Sequence, residues 1–363
     1  MLTEILSEVQ EEDQMQTHSA GDFLPGKIHT EESIQFWEKE LQAGEWVLNL
    51  LKEGYILPLQ KRLQTPYEEE NNLSARKNMV FVRQQVEKWR QQGVIEMVDQ
   101  KPACVSPLTV VERVTEQGGV KRRLCWDGSR HVNKALKVEK VSLAHLQAAL
   151  EITKKNDLQT KYDLTSAYFH VKIFPAHTKF LGAKFVDKEG KIRYFVFRYM
   201  PFGLATAVHV ITKLFKPVQA YFARQGIRHT IFIDDGRMLA ETAEESAQKF
   251  QVVRQTLQKA GWQIEESKSD AVGGGTKIKE YLGFMINTED MTVHLTEMKK
   301  EKLKKEVQET AALSNRVIPI KKIGTVARPN GVSFTSIGNS ASSFCKKRLF
   351  RARRESAKTR LEG

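Results

Sequence analysis

At 363 residues with 40% hydrophobic side chains, the chain is long enough for two or three domains and a sizeable core, which excludes a wholly disordered protein. Its 57 lysines and arginines against 44 acids leave a formal charge of +13. Cys104, Cys125 and Cys345 are far apart and show no paired spacing, so neither a disulfide framework nor a zinc site is suggested and a reducing intracellular compartment is expected, cytoplasm or nucleus undecided.

The charge is unevenly placed. Residues 1–32 hold Glu4, Glu8, Glu11, Glu12, Asp13, Asp22, Glu31 and Glu32 against Lys27 alone, and read as an acidic flexible arm. The segment 346–360 is basic, with Glu355 its one acid, so the two ends offset each other and the excess lies in the body between them. A body that basic points to a polyanionic partner, nucleic acid first, with a merely soluble basic surface as the alternative. No stretch reaches the roughly 18 apolar residues of a membrane span, and no membrane partner is expected.

In chain order, residues 33–72 form a lead-in anchored by Phe36, Trp37, Trp46 and Tyr55, then a polar linker from Thr65 to Asn72. Ser74 is positioned to cap a helix with the stripe Met79, Val82, Val86 and Trp89, stopped by Gly93. Val94–Val98 and Leu108–Val114 read as strands, and Gly118-Gly119 turns the second into the basic run Lys121 to Leu124, giving a basic hairpin. A helical stretch near Leu143–Ile152 precedes strands around Val171–Ile173, Lys179–Val186 and Ile192–Phe197.

A longer helix is expected after Gly203, with Val208, Ile211, Leu214, Phe215, Val218 and Phe222 on one face and a kink or loosened turn at Pro217. Ile231 to Ile233 and Arg237 to Ala240 bracket Asp234-Asp235-Gly236 as strand, turn, strand. Thr242 and Glu245 make a capping box for a helix ending at Gly261. Further strand and turn signals run from Trp262 to Ile286, and residues 297–313 form a charged helix. The order is α+β with a mostly antiparallel sheet, not a βαβ series.

Asp234-Asp235 at a turn between two apolar strands, with Asp163 ending another, has two readings. One is a good hairpin turn; the other is a carboxylate site for divalent ions that serve phosphoryl transfer from a triphosphate. The surroundings decide. Tyr162-Asp163-Leu164 is followed by Tyr168, then by Met200-Pro201-Phe202-Gly203-Leu204, Phe232-Ile233-Asp234-Asp235, Lys268 and Tyr281-Leu282-Gly283-Phe284.

Over about residues 75–315 this ordered set resembles the reverse transcriptases of retroelements, most of all those of long-terminal-repeat and tyrosine-recombinase (DIRS-type) retrotransposons. The resemblance implies a right-hand polymerase fold. Its fingers would be residues 73–155, its palm 156–290 with part of the fingers inserted near 172–198, its short helical thumb 291–325, and 326–363 a basic tail or truncated connection. It further implies an RNA-directed DNA polymerase that extends a primer on an RNA or DNA template with deoxynucleoside triphosphates. Two magnesium ions, replaceable by manganese, would sit at Asp163, Asp234 and Asp235, and Phe232 stands where the family has tyrosine.

By the same resemblance Tyr168 is the steric gate against the 2′-hydroxyl, the alternative being a core aromatic. Lys121 and Arg123 hold the incoming triphosphate, or else are a solvated basic turn. Ser166 and Ala167 meet its sugar and phosphates, and Phe202 and Gly203 contact the nascent pair and template, glycine letting the backbone approach and opening a helix N-terminus. Lys268 is the general acid for pyrophosphate or a surface lysine, and Tyr281, Leu282, Gly283 and Phe284 form the primer grip. Val208-His209 departs from the family pattern, and His209 reads as structural. A ribonuclease H or recombinase domain is expected beyond this chain. The alternatives are a decayed copy that binds nucleic acid without polymerising and an RNA-templated RNA polymerase.

Overall fold

The computed structural model describes residues 25–114, 119–139 and 146–312. The expected arm before residue 25, the Gly118 turn, the start of the helix near Leu143 and the tail beyond Ala312 lie outside the described residues. The chain divides into two units between His294 and Leu295. In the first, Thr30 accepts the N–H of Ser33 and caps α1 (Glu31–Lys39), and α2 (Glu45–Glu53) ends at Gly54. Residues 25–32, grouped with the arm by their charge, are folded here: Ile28 is fully buried, and His29 joins Leu51 to Lys172. A composition window averages over such single anchors.

Strand β1 (Tyr67–Glu68) leads into α3 (Leu73–Lys77) and α4 (Met79–Gln91). Ser74 is not the helix cap expected of it; it lies inside α3, and its hydroxyl accepts the Val110 N–H at 3.1 Å. Val82, Val86 and Trp89 bury the face of α4 that their spacing predicts. Then come β2 (Ile95–Val98), β3 (Cys104–Val105), β4 (Leu108–Val114) and β5 (Val120–Trp126). The basic hairpin forms as expected, with Val111 opposite Arg123 and Arg113 opposite Lys121.

Short helices α5 (Val132–Ala135) and α6 (Leu146–Glu151) precede β6 (Leu158–Asp163). Strands β7 (Gly182–Val186) and β8 (Ile192–Phe197) complete a five-stranded sheet in the order β1-β3-β7-β8-β2. Val171–Ile173 makes isolated bridges instead of a strand, and Pro175–Phe180 is a 3-10 helix where part of a strand was expected. Pro175 fixes φ and removes a ladder donor, which favours the helical turn.

Helix α7 (Ala207–Arg224) runs through Pro217 and buries Val210, Ile211, Leu214, Phe215, Val218 and Phe222, each worth about 1.5–3 kcal/mol relative to exposure. It begins at Ala207, so its buried face excludes the half-buried Val208. Strands β9 (Arg228–Phe232) and β10 (Asp235–Ala240) join β6 in an antiparallel sheet ordered β6-β10-β9. Helix α8 (Ala243–Lys259) packs on that sheet together with α7. Thr242 accepts the Glu245 N–H, and the Glu245 carboxylate accepts in return from the backbone at Glu241 and Thr242, as the expected capping box requires.

Residues Trp262–Glu265, expected as a strand, run beside the end of β6 through single bonds: Thr165 N–H to the Gln263 carbonyl and Glu265 N–H to the Asp163 carbonyl. The small sheet β11 (Ile278–Tyr281), β12 (Phe284–Asn287), β13 (Thr292–Leu295) follows. The second unit contributes the charged helix α9 (Glu297–Ala312). The α+β reading and its mostly antiparallel pairing are what the structure has. Among the described residues no helix is long and apolar enough to cross a membrane.

Candidate active site

The β6-β10-β9 sheet ends in acids because its register puts them there. Asp235 lies directly opposite Asp163 on one side and Phe232 on the other, leaving Ile233-Asp234 as the two-residue turn. Partners directly opposite in an antiparallel ladder share a face, so two carboxylates are held together against their mutual repulsion. Ile233 has φ +60°, a left-handed conformation that a β-branched side chain rarely adopts. Such strain is retained only where the surroundings over-determine the turn. Here the Asp234 carbonyl accepts the Leu164 N–H at 2.8 Å, tying the turn to the chain just after Asp163.

Asp163 is fixed from its own backbone: its N–H donates to Ser269 Oγ at 3.0 Å and its carbonyl accepts the Glu265 N–H at 2.8 Å. Its carboxylate pairs with the Lys268 ammonium at 3.0 Å. Lys268 lies in a 3-10 turn, Glu266–Lys268, and is about half exposed. Burial, and next the charge of Asp163, push the Asp234 carboxyl up, while Lys268 and Arg123 draw it down. Burial raises Asp235 to about 6 against the pull of Lys161, whose ammonium stands 3.4 Å from its Oδ1.

The basic hairpin faces these acids. Burial lowers the Lys121 pKa, and the positive charges of Lys268 and Arg123 lower it further, while Asp163 opposes them. Tyr168 follows Ser166, which has φ +47°, on a 3-10 turn (Ala167–His170) whose first bond runs from the Phe169 N–H to the Ser166 carbonyl. Burial and the charge of Asp234 raise the Tyr168 phenol to about 12. Its ring meets Phe202 edge-on at 4.9 Å. Asp163, Asp234, Asp235, Lys268, Lys121, Arg123, Tyr168 and Phe202 are thus one constellation, with Ser166 beside it and Ala167 buried beneath.

Gly203 departs from the expectation in part. Its φ is +109°, and a Cβ there would lie 1.8 Å from the Trp126 carbonyl, so the close approach that glycine permits is to β5. Helix α7 starts at Ala207, so Gly203 does not supply its N-terminus. The Trp126 N–H donates to the Phe202 carbonyl at 3.0 Å, and Asn133 clamps the loop by donating to the Gly203 carbonyl and accepting from the Ala205 N–H.

In the 281–284 hairpin Tyr281 and Phe284 are buried, and the turn Leu282-Gly283, with φ +52° and +73°, is its accessible part. The Tyr281 hydroxyl lies 3.1 Å from Thr230 Oγ1 and donates to the Asp235 carbonyl at 3.2 Å. Arg237, fully buried, reaches Gln159, the Ala149 carbonyl and Thr153 beneath the same sheet. Sequence reasoning missed Lys161, Asn133, Ser269 and Arg237. Only Lys161 carried a signal: it lies two residues before Asp163 and hence on the same strand face. His209 stands apart, 3.6 Å from Glu139 and edge-on to Trp46.

Among the described residues no three His, Cys, Asp or Glu side chains are placed to hold a metal ion together. Asp163 and Asp234 nevertheless fit a hard divalent cation. They are oxygen donors at a sheet end, they repel one another, and magnesium commonly takes one or two carboxylates with the rest of its shell from substrate phosphate and water. Asp235 Oδ1 is buried and turned to Lys161.

The family of reverse transcriptases (RNA-dependent DNA polymerases) matches residues 114–286, from the last residue of β4 into β12. No curated protein matches the chain. Three solved structures similar to it are foamy viral protease-reverse transcriptases, each 18% identical. One is a dRH form in complex with double-stranded DNA, with TM-score 0.51, covering 84% of this chain and 43% of that one. The second is in complex with double-stranded DNA, with TM-score 0.51 and coverage of 83% and 61%. The third is in complex with an RNA/DNA hybrid, with TM-score 0.50 and coverage of 82% and 39%. The chain thus spans less than two thirds of each of these proteins. The matched residues contain the acid-bearing sheet and β5 of the hairpin that faces it, so residues 114–286 carry the match to the reverse transcriptase family, and the chain shares the right-hand polymerase fold of these structures.

Proposed function

We propose that the chain is an RNA-directed DNA polymerase that extends a primer 3′-hydroxyl with deoxynucleoside triphosphates on an RNA or DNA template. The observation that carries this reading is the meeting of Asp163 and Asp234 with Lys121, Arg123, Lys268 and Tyr168 at one sheet end. The nucleic acids bound to the foamy viral proteins support it. In this reading the fingers are residues 73–155 with the insertion near 172–198, the palm 156–290 and the thumb 291–325. The Met200 to Leu204 motif favours a long-terminal-repeat or DIRS-type retrotransposon, and a ribonuclease H or recombinase domain would complete the longer protein.

Asp163 and Asp234 would hold the divalent ions, magnesium or in its place manganese, with Asp235 as a charged neighbour. Ions bound there supply Lewis-acid activation of the 3′-hydroxyl and neutralise phosphate charge. The rest falls to the chain's own groups. The Arg123 guanidinium can take two phosphate oxygens as a fork, and Lys121 adds a point charge with a lowered pKa. The 3′-hydroxyl loses its proton to solvent as its oxygen attacks the α-phosphorus and the bond to pyrophosphate breaks. Lys268, already anchored on Asp163, is placed to donate its proton to the leaving pyrophosphate. The Tyr168 ring, held by Phe202, fills the space a 2′-hydroxyl would need.

The test is primer extension by the full chain on an RNA template with magnesium and deoxynucleotides, beside Lys268→Ala and Arg123→Ala. Extension slowed about tenfold or more in both variants supports the assignment. A chain that binds primer and template with steep salt dependence yet never extends them is instead a decayed copy.

A further inference from the structure

We propose that Lys161 is a positioning residue of the ion site: its ammonium occupies the Asp235 carboxylate and so leaves Asp163 and Asp234 as the pair that a divalent ion meets. This inference deepens the polymerase reading and rests on it for the nature of the ions. Lys161 comes two residues before Asp163, so both side chains leave the same face of β6. In the β6-β10 register Lys161 lies opposite Arg237 and Asp163 opposite Asp235, which makes Lys161 and Asp235 diagonal neighbours on that face. The Lys161 ammonium stands 3.4 Å from Asp235 Oδ1. Like charges directly opposite one another destabilise a sheet, so a lysine facing the fully buried Arg237 needs an acid beside it, and Asp235 is the acid it reaches.

This contact differs from an ordinary surface ion pair in two ways. First, nothing else holds the ammonium. Asp270, which accepts the Lys161 backbone N–H at 2.7 Å, is itself paired with the Lys279 ammonium at 2.9 Å, and no described carboxylate besides Asp235 pairs with Lys161. Second, it is enclosed where the neighbouring pair is open. The Lys268 side chain on Asp163 is 52% exposed and can follow a leaving group, whereas those of Lys161 and Asp235 are 27% and 18% exposed and Asp235 Oδ1 is buried. Asp234 pairs with no described cation. A divalent ion approaching Asp235 Oδ1 would have to displace a cation anchored in the strand, because two positive charges at one enclosed oxygen repel strongly. Magnesium commonly takes one or two carboxylates and fills the rest of its shell with water and phosphate, so withholding the third acid keeps coordination positions open for the triphosphate. Lys161 thereby sets how many carboxylates the ions meet without touching the substrate.

The experiment measures manganese binding to the full chain, with neither nucleotide nor primer, from the electron paramagnetic resonance signal of the free ion. Thermal midpoints are measured alongside. Binding that Asp234→Asn removes belongs to the site. Lys161→Met should bind manganese there about tenfold more tightly than the full chain, because Asp235 becomes a donor. Lys161→Gln, a second neutral variant, should do the same, and Lys161→Arg, which keeps the charge, should stay within about twofold of the full chain. In an Asp235→Asn background the gain from Lys161→Met should shrink to less than about twofold, since the effect passes through Asp235. Unchanged affinity in both neutral variants overturns the proposal. So does an equal gain in the Asp235→Asn background, which would make Lys161 a general field on the cleft. Because ion binding needs no turnover, a chain that shows the predicted pattern yet never extends a primer keeps the role of Lys161 and loses only the polymerase reading. Primer extension by the full chain, with ion affinity unmoved in the neutral variants, loses the role alone.

Discussion

The Tyr281 hydroxyl donates to the backbone carbonyl of Asp235 at 3.2 Å, so the 281–284 hairpin and the acid-bearing turn are joined through a fully buried phenol. Thr230 shares that hydroxyl, and burial raises the phenol well above its usual range, so it stays a neutral donor. The acids are therefore positioned from below by a residue that the accessible turn depends on. Tyr281→Phe keeps the ring and removes the bond. It should cost about 1 kcal/mol of stability and lower kcat for nucleotide addition about tenfold while KM for the nucleotide changes less than twofold. An unchanged kcat would leave Tyr281 as packing alone.

Tyr168→Ala removes the ring that Phe202 holds beside Asp234. Discrimination against ribonucleotides, measured as the ratio of kcat/KM for the two sugars, should fall at least tenfold. Unaltered sugar selectivity would refute the gate and favour an RNA-templated RNA polymerase or a core role for the ring.

Gly203→Ala places a methyl 1.8 Å from the Trp126 carbonyl at φ +109°, whereas Gly93→Ala at φ +70° meets nothing within 4 Å. The first should cost about 3 kcal/mol or more and the second about 1 kcal/mol. Urea unfolding of the two variants side by side separates steric collision from backbone strain, and equal losses would contradict the packing described.

Burial holds His29 and His170 down at about 4 and His229 at about 3. His29 is fixed as the Nδ1–H tautomer, since Nε2 accepts the Lys172 N–H at 2.8 Å and Nδ1 lies 2.8 Å from the Leu51 carbonyl. A folded pKa below the unfolded value means that the unfolded chain binds more protons. The stability is present above about pH 6.5 and is lost as the pH falls towards 4. Each histidine should cost about 2 kcal/mol between pH 6.5 and 5. The raised Asp235 carboxyl contributes with the opposite sign over the same range, so the histidine share is read from urea midpoints of the full chain beside His29→Gln, in which the slope should flatten. An unaltered slope in His29→Gln would contradict the burial.

Much of this was legible in the sequence because it rests on periodicity and order. The spacing of Val82, Val86 and Trp89, the Phe215 to Phe222 face and the Asp234-Asp235 turn all carry local signals, and the ordered motifs placed the acids together. What stayed hidden depends on which atoms meet across long separations. Ser74 has the chemistry of a helix cap, yet it serves Val110, thirty-six residues on, because α3 begins before it. Gly203 looked like a backbone opened to the template, and its neighbour is Trp126. Asn133, Ser269 and the buried Arg237 have no spacing that marks them, since each holds a partner that tertiary packing alone delivers.

The most direct test of the central claim is single-nucleotide incorporation under single-turnover conditions, with magnesium and saturating primer–template, by the full chain and by Asp234→Asn. Asn keeps the shape of the turn and removes one anionic oxygen donor from the pair with Asp163. The account predicts incorporation by the full chain, a loss of at least a thousandfold in the variant, and equal primer–template affinity and thermal midpoint. Incorporation by Asp234→Asn at a rate near that of the full chain would contradict it.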